Sequence, residues 1–126
     1  MYNLIVDSHF SAAHQLRGYP GKCASLHGHT WGVSVTVRAG ELDEIGMCLD
    51  FKKIARSLDD IVEQFDHQNL NELPEFAAIN PTAENISRII FEKLSDKINT
   101  EKVRLVSVTV AESDRYRVTY TLDGQE

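Results

Sequence analysis

The amino-acid sequence predicts an α+β domain in which two helices cover one face of a four-stranded antiparallel sheet, in the order strand, strand, helix, helix, strand, strand. Three observations carry this. Residues 27–38 alternate strictly between apolar and polar side chains, the mark of a half-buried strand. Apolar residues recur at spacings of three and four in two segments, around residues 51–65 and 86–98, the mark of amphipathic helices. Two further alternating runs close the chain at residues 106–111 and 115–122. At 126 residues the chain is expected to be a single domain, 1–126, with a core that needs no disulfide or metal to hold it.

The elements follow in order. Residues 2–10 are rich in β-formers (Leu4, Ile5, Val6, Phe10) and read as a strand. Gly18, Pro20 and Gly21 mark the loop after it. In the second strand Trp31, Val33, Val35 and Val37 alternate with Thr30, Gly32, Ser34, Thr36 and Arg38. Gly40 and Gly46 punctuate a turn-rich connection, and Asp50 is a suitable N-cap for the first helix. That helix presents Phe51, Ile54, Leu58, Ile61, Val62 and Phe65 on one face. A polar loop, DHQNLNELPEF, follows. Thr82, next to Pro81, caps a second helix whose stripe is Ile86, Ile89, Ile90, Leu94 and Ile98. Val106, Val108 and Val110 alternate in the third strand and Tyr116, Val118, Tyr120 and Leu122 in the fourth, with Ser113 and Asp114 placed for a tight hairpin between them.

Composition narrows the function. With 42% hydrophobic and 25% charged residues the chain falls in the ordinary soluble class. A net charge of -6 argues against bulk affinity for nucleic acid or an anionic membrane, and leaves an anionic small molecule only through a local basic pocket. No apolar run approaches the roughly 20 residues of a membrane span, and MYNLIVDSHF lacks the features of a signal peptide. The two cysteines, Cys23 and Cys48, form no disulfide framework, so the expected compartment is the cytoplasm.

The chemistry concentrates in CASLHGHT. Within a strand, residues i and i+2 share a face, so His27 and His29 lie on the apolar side with Trp31. Two imidazoles there are satisfied either by carbonyls at a strand end or by one metal ion. If the first two strands form a hairpin, His14 in FSAAH comes near the pair, and three imidazoles with one open position describe a catalytic zinc site. His9 is a rival third ligand, further back along its strand. Cys23 is either a fourth, closing ligand or a thiolate beside the metal able to move a proton. Cys48 reads as a small core residue. In Asp66-His67 the carboxylate can orient the imidazole, or His67 can simply meet the dipole at a helix C-terminus. Glu112 continues the apolar parity of Val106, Val108 and Val110. It either accepts a donor pair from a heterocycle or marks where the strand leaves the core. Arg17 and Lys22 flank the cysteine loop and Arg115 and Arg117 follow Glu112, as an anion funnel or as solvated charges.

Taken together, FSAAH, C-x3-HGH, DF, DH-x-NLN, PTAEN and VAES resemble the 6-pyruvoyltetrahydropterin synthase superfamily, and most closely its 6-carboxytetrahydropterin synthase branch in queuosine biosynthesis. The likeness runs from Phe10 to about Tyr120. Three residues between Cys23 and HGH match the carboxy-forming branch, whereas the biopterin-forming enzymes place five there. The branch associated with folate synthesis has glutamate in place of the cysteine.

The resemblance implies roles for individual residues. His14, His27 and His29 match the Zn2+ ligands. Cys23 and Asp66-His67 match the proton-transfer groups. Glu112 matches the anchor of the pterin ring, and Thr82 and Glu84 match a segment lining the same pocket. PTAEN departs from relatives that carry a second hydroxyl at the position of Ala83. The implied fold is the tunnelling fold, assembled as a homohexamer with active sites between subunits. The implied reaction converts 7,8-dihydroneopterin triphosphate to 6-carboxy-5,6,7,8-tetrahydropterin, acetaldehyde and triphosphate. The rivals are 6-pyruvoyltetrahydropterin synthesis on the same substrate and a non-catalytic oligomeric zinc-binding module.

Overall fold

The alternating segment at 27–38 and the β-rich N-terminus pair along their whole length. In the computed structural model, which describes residues 1–123 and, among their side chains, all but that of Cys23, strand β1 spans Tyr2–His14 and β2 spans His27–Ala39. They are antiparallel in unbroken register, from Tyr2 opposite Ala39 to His14 opposite His27. Helix α1 (Phe51–Val62), the two-residue strand β3 (Gln68–Asn69), helix α2 (Ala83–Ile98), β4 (Val103–Ala111) and β5 (Arg117–Tyr120) follow. The sheet order is β3-β1-β2-β4-β5.

The expected four-stranded antiparallel sheet is corrected here to a mixed sheet of five strands. The additional strand β3 runs parallel to β1, beside Ala12 and Ala13. Hydrogen bonds put it there. The Ser11 amide donates to Asp66 Oδ1 at 2.8 Å, and the His67 amide donates to the Ser11 carbonyl at 2.6 Å. Strand β3 is too short to carry a periodic signal, so a polar loop was the natural expectation.

Both helix caps fall on the expected residues. Asp50 accepts from the Lys52 amide and Thr82 from the Asn85 amide. The stripes of α1 and α2 bury Ile54, Leu58, Ile61, Ile86, Ile90 and Leu94 against the sheet. Phe51, expected on the same stripe, is instead exposed. The two-residue period of β4 breaks at a bulge, where Thr36 faces Ser107 but Val37 faces Leu105. Val106 is therefore the extra residue, not the start of the core-facing series. The bulge switches parity, and Val108, Val110 and then Glu112 fall on the helix side. Between β4 and β5 there is no tight hairpin: Ala111 pairs with Arg117, and residues 112–116 form a wider loop closed by the Glu112 amide on the Tyr116 carbonyl at 3.1 Å. No helix among the described residues is long and apolar enough to cross a membrane.

Candidate metal centre and its two grooves

The hairpin of β1 and β2 determines where the imidazoles meet. His14 ends β1 directly opposite His27, which begins β2, and His29 lies two residues along on the same face. His9 is excluded from the group by parity: it is odd-numbered on β1, exposed on the outer face of the sheet, while His14 is buried on the helix side. Beneath the three rings lies Trp31, with its centroid 4.9 Å from His14 and 5.1 Å from His29. Its indole donates to the Ala12 carbonyl at 3.2 Å, so the floor is rigid. Glu112 enters from the end of β4. One ligand atom from each of His14, His27, His29 and Glu112 lies within 4.8 Å of the others.

The protonation pattern of this cluster shows what it suits. His14 Nδ1 is 2.7 Å from the Pro81 carbonyl and His27 Nδ1 is 2.7 Å from the Ser25 carbonyl. A carbonyl only accepts, so in the neutral rings both Nδ1 atoms carry the proton and both Nε2 atoms present a lone pair. Yet the two Nε2 atoms lie 3.0 Å apart, and His29 Nε2 is buried without a hydrogen-bond partner. Glu112 Oε1 lies 3.5 Å from His14 Nε2 and 3.4 Å from His29 Nε2. Converging lone pairs and a carboxylate repel one another when the rings are neutral, and a cation between the three rings relieves that repulsion. The carbonyls behind two of the rings are the outer contacts that orient metal-binding histidines.

Burial lowers the pKa of His14, the nearby His27 and His29 rings push the same way, and the Pro81 carbonyl and Glu112 oppose the shift without reversing it. Burial also lowers His29, against the opposing pull of Glu112. Both imidazoles thus stay neutral, and available as ligands, at a lower pH than ordinary histidines.

Two grooves open beside the cluster. One, of about 500 Å³, holds His14 and Glu112 together with Thr82 and Glu84, with Arg115 and Arg117 also on its walls. The other, of about 580 Å³, runs past Ser11 and Thr30 from His29 to His67. Thr82 and Glu84 therefore share a groove with Glu112, whereas His67 lies on the other groove. The Asp66 carboxylate is held below the usual range, first by the Ser11 amide and then by His67, whose Nδ1 is 2.9 Å from Asp66 Oδ2. That contact leaves His67 Nε2 free to face solvent. His67 adopts φ +59°, a left-handed conformation uncommon in a residue with a side chain. Lys22–Ala24 form a 3-10 turn three residues before His27, and the side chain of Cys23 lies outside the described residues.

Arg17 does not serve an anion funnel. Its guanidinium donates to the carbonyls of Phe76, Ala77 and Ile79 at 2.6, 3.2 and 3.0 Å. Two asparagine side chains complete this clamp by imitating a neighbouring strand. Asn71 pairs with both backbone polar groups of Gln15, and Asn80 with both of Arg17. Asn85 in turn donates to the Asn80 carbonyl. The segment that supplies the Pro81 carbonyl to His14 is thereby pinned to the end of β1. The asparagines of NLN and PTAEN are the sequence signal for this support, and sequence reasoning alone did not assign it. Arg17→Ala is expected to lower stability by about 1.5–3 kcal/mol, since two of its three bonds are exposed and one is part-buried, and each nets about 0.5–1 kcal/mol. A denaturant titration showing no shift in midpoint would contradict the clamp.

Comparison with known proteins places this geometry. The sequence profile of the family described as 6-pyruvoyl tetrahydropterin synthase matches residues 3–123. A protein of Archaeoglobus fulgidus, named provisionally as a 6-carboxy-5,6,7,8-tetrahydropterin synthase, is 40% identical over 101 residues, 79% of this chain and 83% of its own. The 6-carboxy-5,6,7,8-tetrahydropterin synthase of Bacillus subtilis is 31% identical over 119 residues, 89% of this chain and 80% of its own. The dihydroneopterin monophosphate aldolase of Pyrococcus furiosus is 32% identical over 115 residues, 91% of this chain and 93% of its own. Among solved structures, the 6-pyruvoyl tetrahydropterin synthase of Caenorhabditis elegans superposes with a TM-score of 0.86 at 29% identity, over 97% of this chain and 96% of that one.

Proposed function

The chain belongs to the 6-pyruvoyl tetrahydropterin synthase family, and from that premise we propose that it is a 6-carboxytetrahydropterin synthase. It would act as a single domain, 1–126, on 7,8-dihydroneopterin triphosphate and release acetaldehyde and triphosphate, in the cytoplasm, on the route to queuosine. The observation that carries the reading is the convergence of three imidazole Nε2 atoms beside a groove containing a carboxylate able to accept paired donors. The donor set of His14, His27 and His29 suits Zn2+ with a position left for substrate. Bound there, Zn2+ supplies a Lewis acid for the side-chain oxygens of the substrate.

The chain's own residues do the rest. Glu112 accepts the ring N–H and amino donors of the pterin, so the side chain of the substrate points at the cluster. Thr82 and Glu84 line the wall of the same groove. Asp66 keeps the proton of His67 on Nδ1, which leaves Nε2 as the atom that takes or gives a proton. Cys23, four residues before His27, is the second proton carrier. Glu112→Ala is expected to retain zinc and lose pterin affinity by about tenfold or more, because the ring donors lose their acceptor. Loss of zinc in that variant would make Glu112 a ligand instead.

A single chain leaves its groups in two open grooves, His67 in one and Glu112 in the other. Over residues 2–10 the outer edge of β1 has no neighbouring strand among the described residues. Tyr2, Ile5, Leu42, Ile45 and Phe51 are exposed apolar residues, several of them around one groove at the start of β1. Both features suit a homohexamer with active sites between subunits. Light scattering should report such an assembly, and an active dilute monomer contradicts it.

The deciding experiment is incubation with 7,8-dihydroneopterin triphosphate, mass analysis of the pterin and an acetaldehyde assay. Acetaldehyde with a 6-carboxy product supports the proposal. A pterin that keeps all its side-chain carbons makes the protein a 6-pyruvoyltetrahydropterin synthase. Turnover of dihydroneopterin monophosphate alone would align it with the Pyrococcus furiosus relative.

A further inference from the structure

The loop that delivers Glu112 to the metal cluster also carries two guanidinium groups. Arg115 and Arg117 line the groove that holds His14 and Glu112. Some cations of this acidic protein have partners: Arg88 with Glu92 at 2.9 Å, Lys93 with Glu75 at 3.3 Å, Lys102 with Glu41 at 3.0 Å, and Arg17 with its three carbonyls. Lys22, Lys52, Lys53, Arg56 and Arg104 form no ion pair among the described residues, but none of them lines this groove. Among the described residues, neither Arg115 nor Arg117 has a carboxylate within 4.0 Å. Asp114, next in sequence to Arg115, shares a groove on the outer face of the sheet with Arg117 and Asp7, yet it forms no ion pair with either arginine.

The loop holds these groups in place. The Glu112 amide donates to the Tyr116 carbonyl, and the Arg115 amide donates to Ser113 Oγ at 3.2 Å. The Arg115 guanidinium stands 5.5 Å from the centroid of the Tyr116 ring, a cation–π contact that orders the side chain and leaves its N–H groups free for other acceptors. Arg115 lies three positions after Glu112, a span of roughly 10 Å at full extension, so one ligand can touch both side chains. A guanidinium fork matches a phosphate in bidentate fashion, and two forks in succession match more than one phosphate group.

We infer that Arg115, with Arg117 on the rim, binds the phosphate tail of the pterin substrate and sets the preference for a triphosphate over a monophosphate or an unphosphorylated pterin. The inference rests on the pterin-triphosphate reading of the site, but it concerns binding and is tested without turnover.

The test is a titration of the zinc-loaded protein and its variants with neopterin, neopterin monophosphate and neopterin triphosphate at two salt concentrations. The native protein is expected to bind the triphosphate most tightly, with an affinity that falls as salt rises. Arg115→Gln should weaken triphosphate binding by about tenfold to a hundredfold, the range for hydrogen bonds to charged groups, and leave neopterin binding unchanged. Arg117→Gln should do the same to a smaller extent. Arg115→Lys keeps the charge but not the fork, and should fall between the native protein and Arg115→Gln. Equal weakening of neopterin and its triphosphate overturns the inference, because the substitution has then disturbed Glu112 rather than the phosphate contact. Unchanged triphosphate affinity, or no preference for the triphosphate in the native protein, overturns it as well. A protein that discriminates as expected but makes no 6-carboxy product would refute the proposed reaction and leave the phosphate contact standing.

Discussion

Replacing His29 with alanine should strip the protein of its zinc and lower turnover by more than about a thousandfold. Lewis-acid stabilisation by a bound metal is worth several kcal/mol of transition-state energy, and each 1.36 kcal/mol is a factor of ten. His29 is the decisive position because its Nε2 is buried with no hydrogen-bond partner, Glu112 Oε1 standing 3.4 Å away, so a bound ion is what would satisfy it. The same geometry predicts a second result. Without metal, His29→Ala should be no less stable than the native chain, because it removes an unsatisfied polar atom and a ring crowded against two others. Metal analysis and thermal unfolding of the metal-free forms check both halves, and full zinc occupancy in the variant would falsify the assignment.

The pH dependence of the metal-free protein follows with a definite sign. His14 and His29 have folded pKa values below their unfolded ones, so below about pH 6.5 the unfolded chain binds more protons than the folded one. Their contribution to stability is intact above that pH and is lost as the pH falls from there toward their folded values. Bound zinc should shift the loss to lower pH, since it binds only the neutral rings.

The second large effect concerns Cys23. As a proton carrier outside the metal shell, it should be replaceable by alanine with zinc and pterin binding intact and with turnover reduced by about 10²–10⁴-fold, the usual contribution of a general acid or base. The variant distinguishes two chemistries that share one residue. Loss of zinc in Cys23→Ala would make the thiolate a fourth ligand and the centre a closed, structural one. Near-normal turnover would leave the turn at Lys22–Ala24 as nothing more than the approach to the metal-binding strand.

Much of this site was legible in the sequence because it obeys short-range rules. A period of two placed His27 and His29 on one face with Trp31, and a period of 3.6 marked both helices. Two capping residues, Asp50 and Thr82, set the helix starts. Ordered motifs identified the family with no reference to coordinates. Other features depend on partners distant in sequence. His14 was joined to the HGH pair only on the assumption of a hairpin, and the register of β1 against β2 is what puts it opposite His27. Whether Glu112 faces the cluster depended on a bulge at Val106, because one inserted residue reverses the side to which every later side chain of the strand points. The pairing of β3 with β1 came from hydrogen bonds of Ser11 to Asp66 and His67, 55 residues or more along the chain. The fate of Arg17 was likewise undecidable from composition: the same guanidinium is an anion receptor or a structural clamp according to which carbonyls the folded chain brings within reach. Residue type and periodicity determined the elements and the kinds of chemistry available, and long-range register and hydrogen bonding decided which of those groups meet.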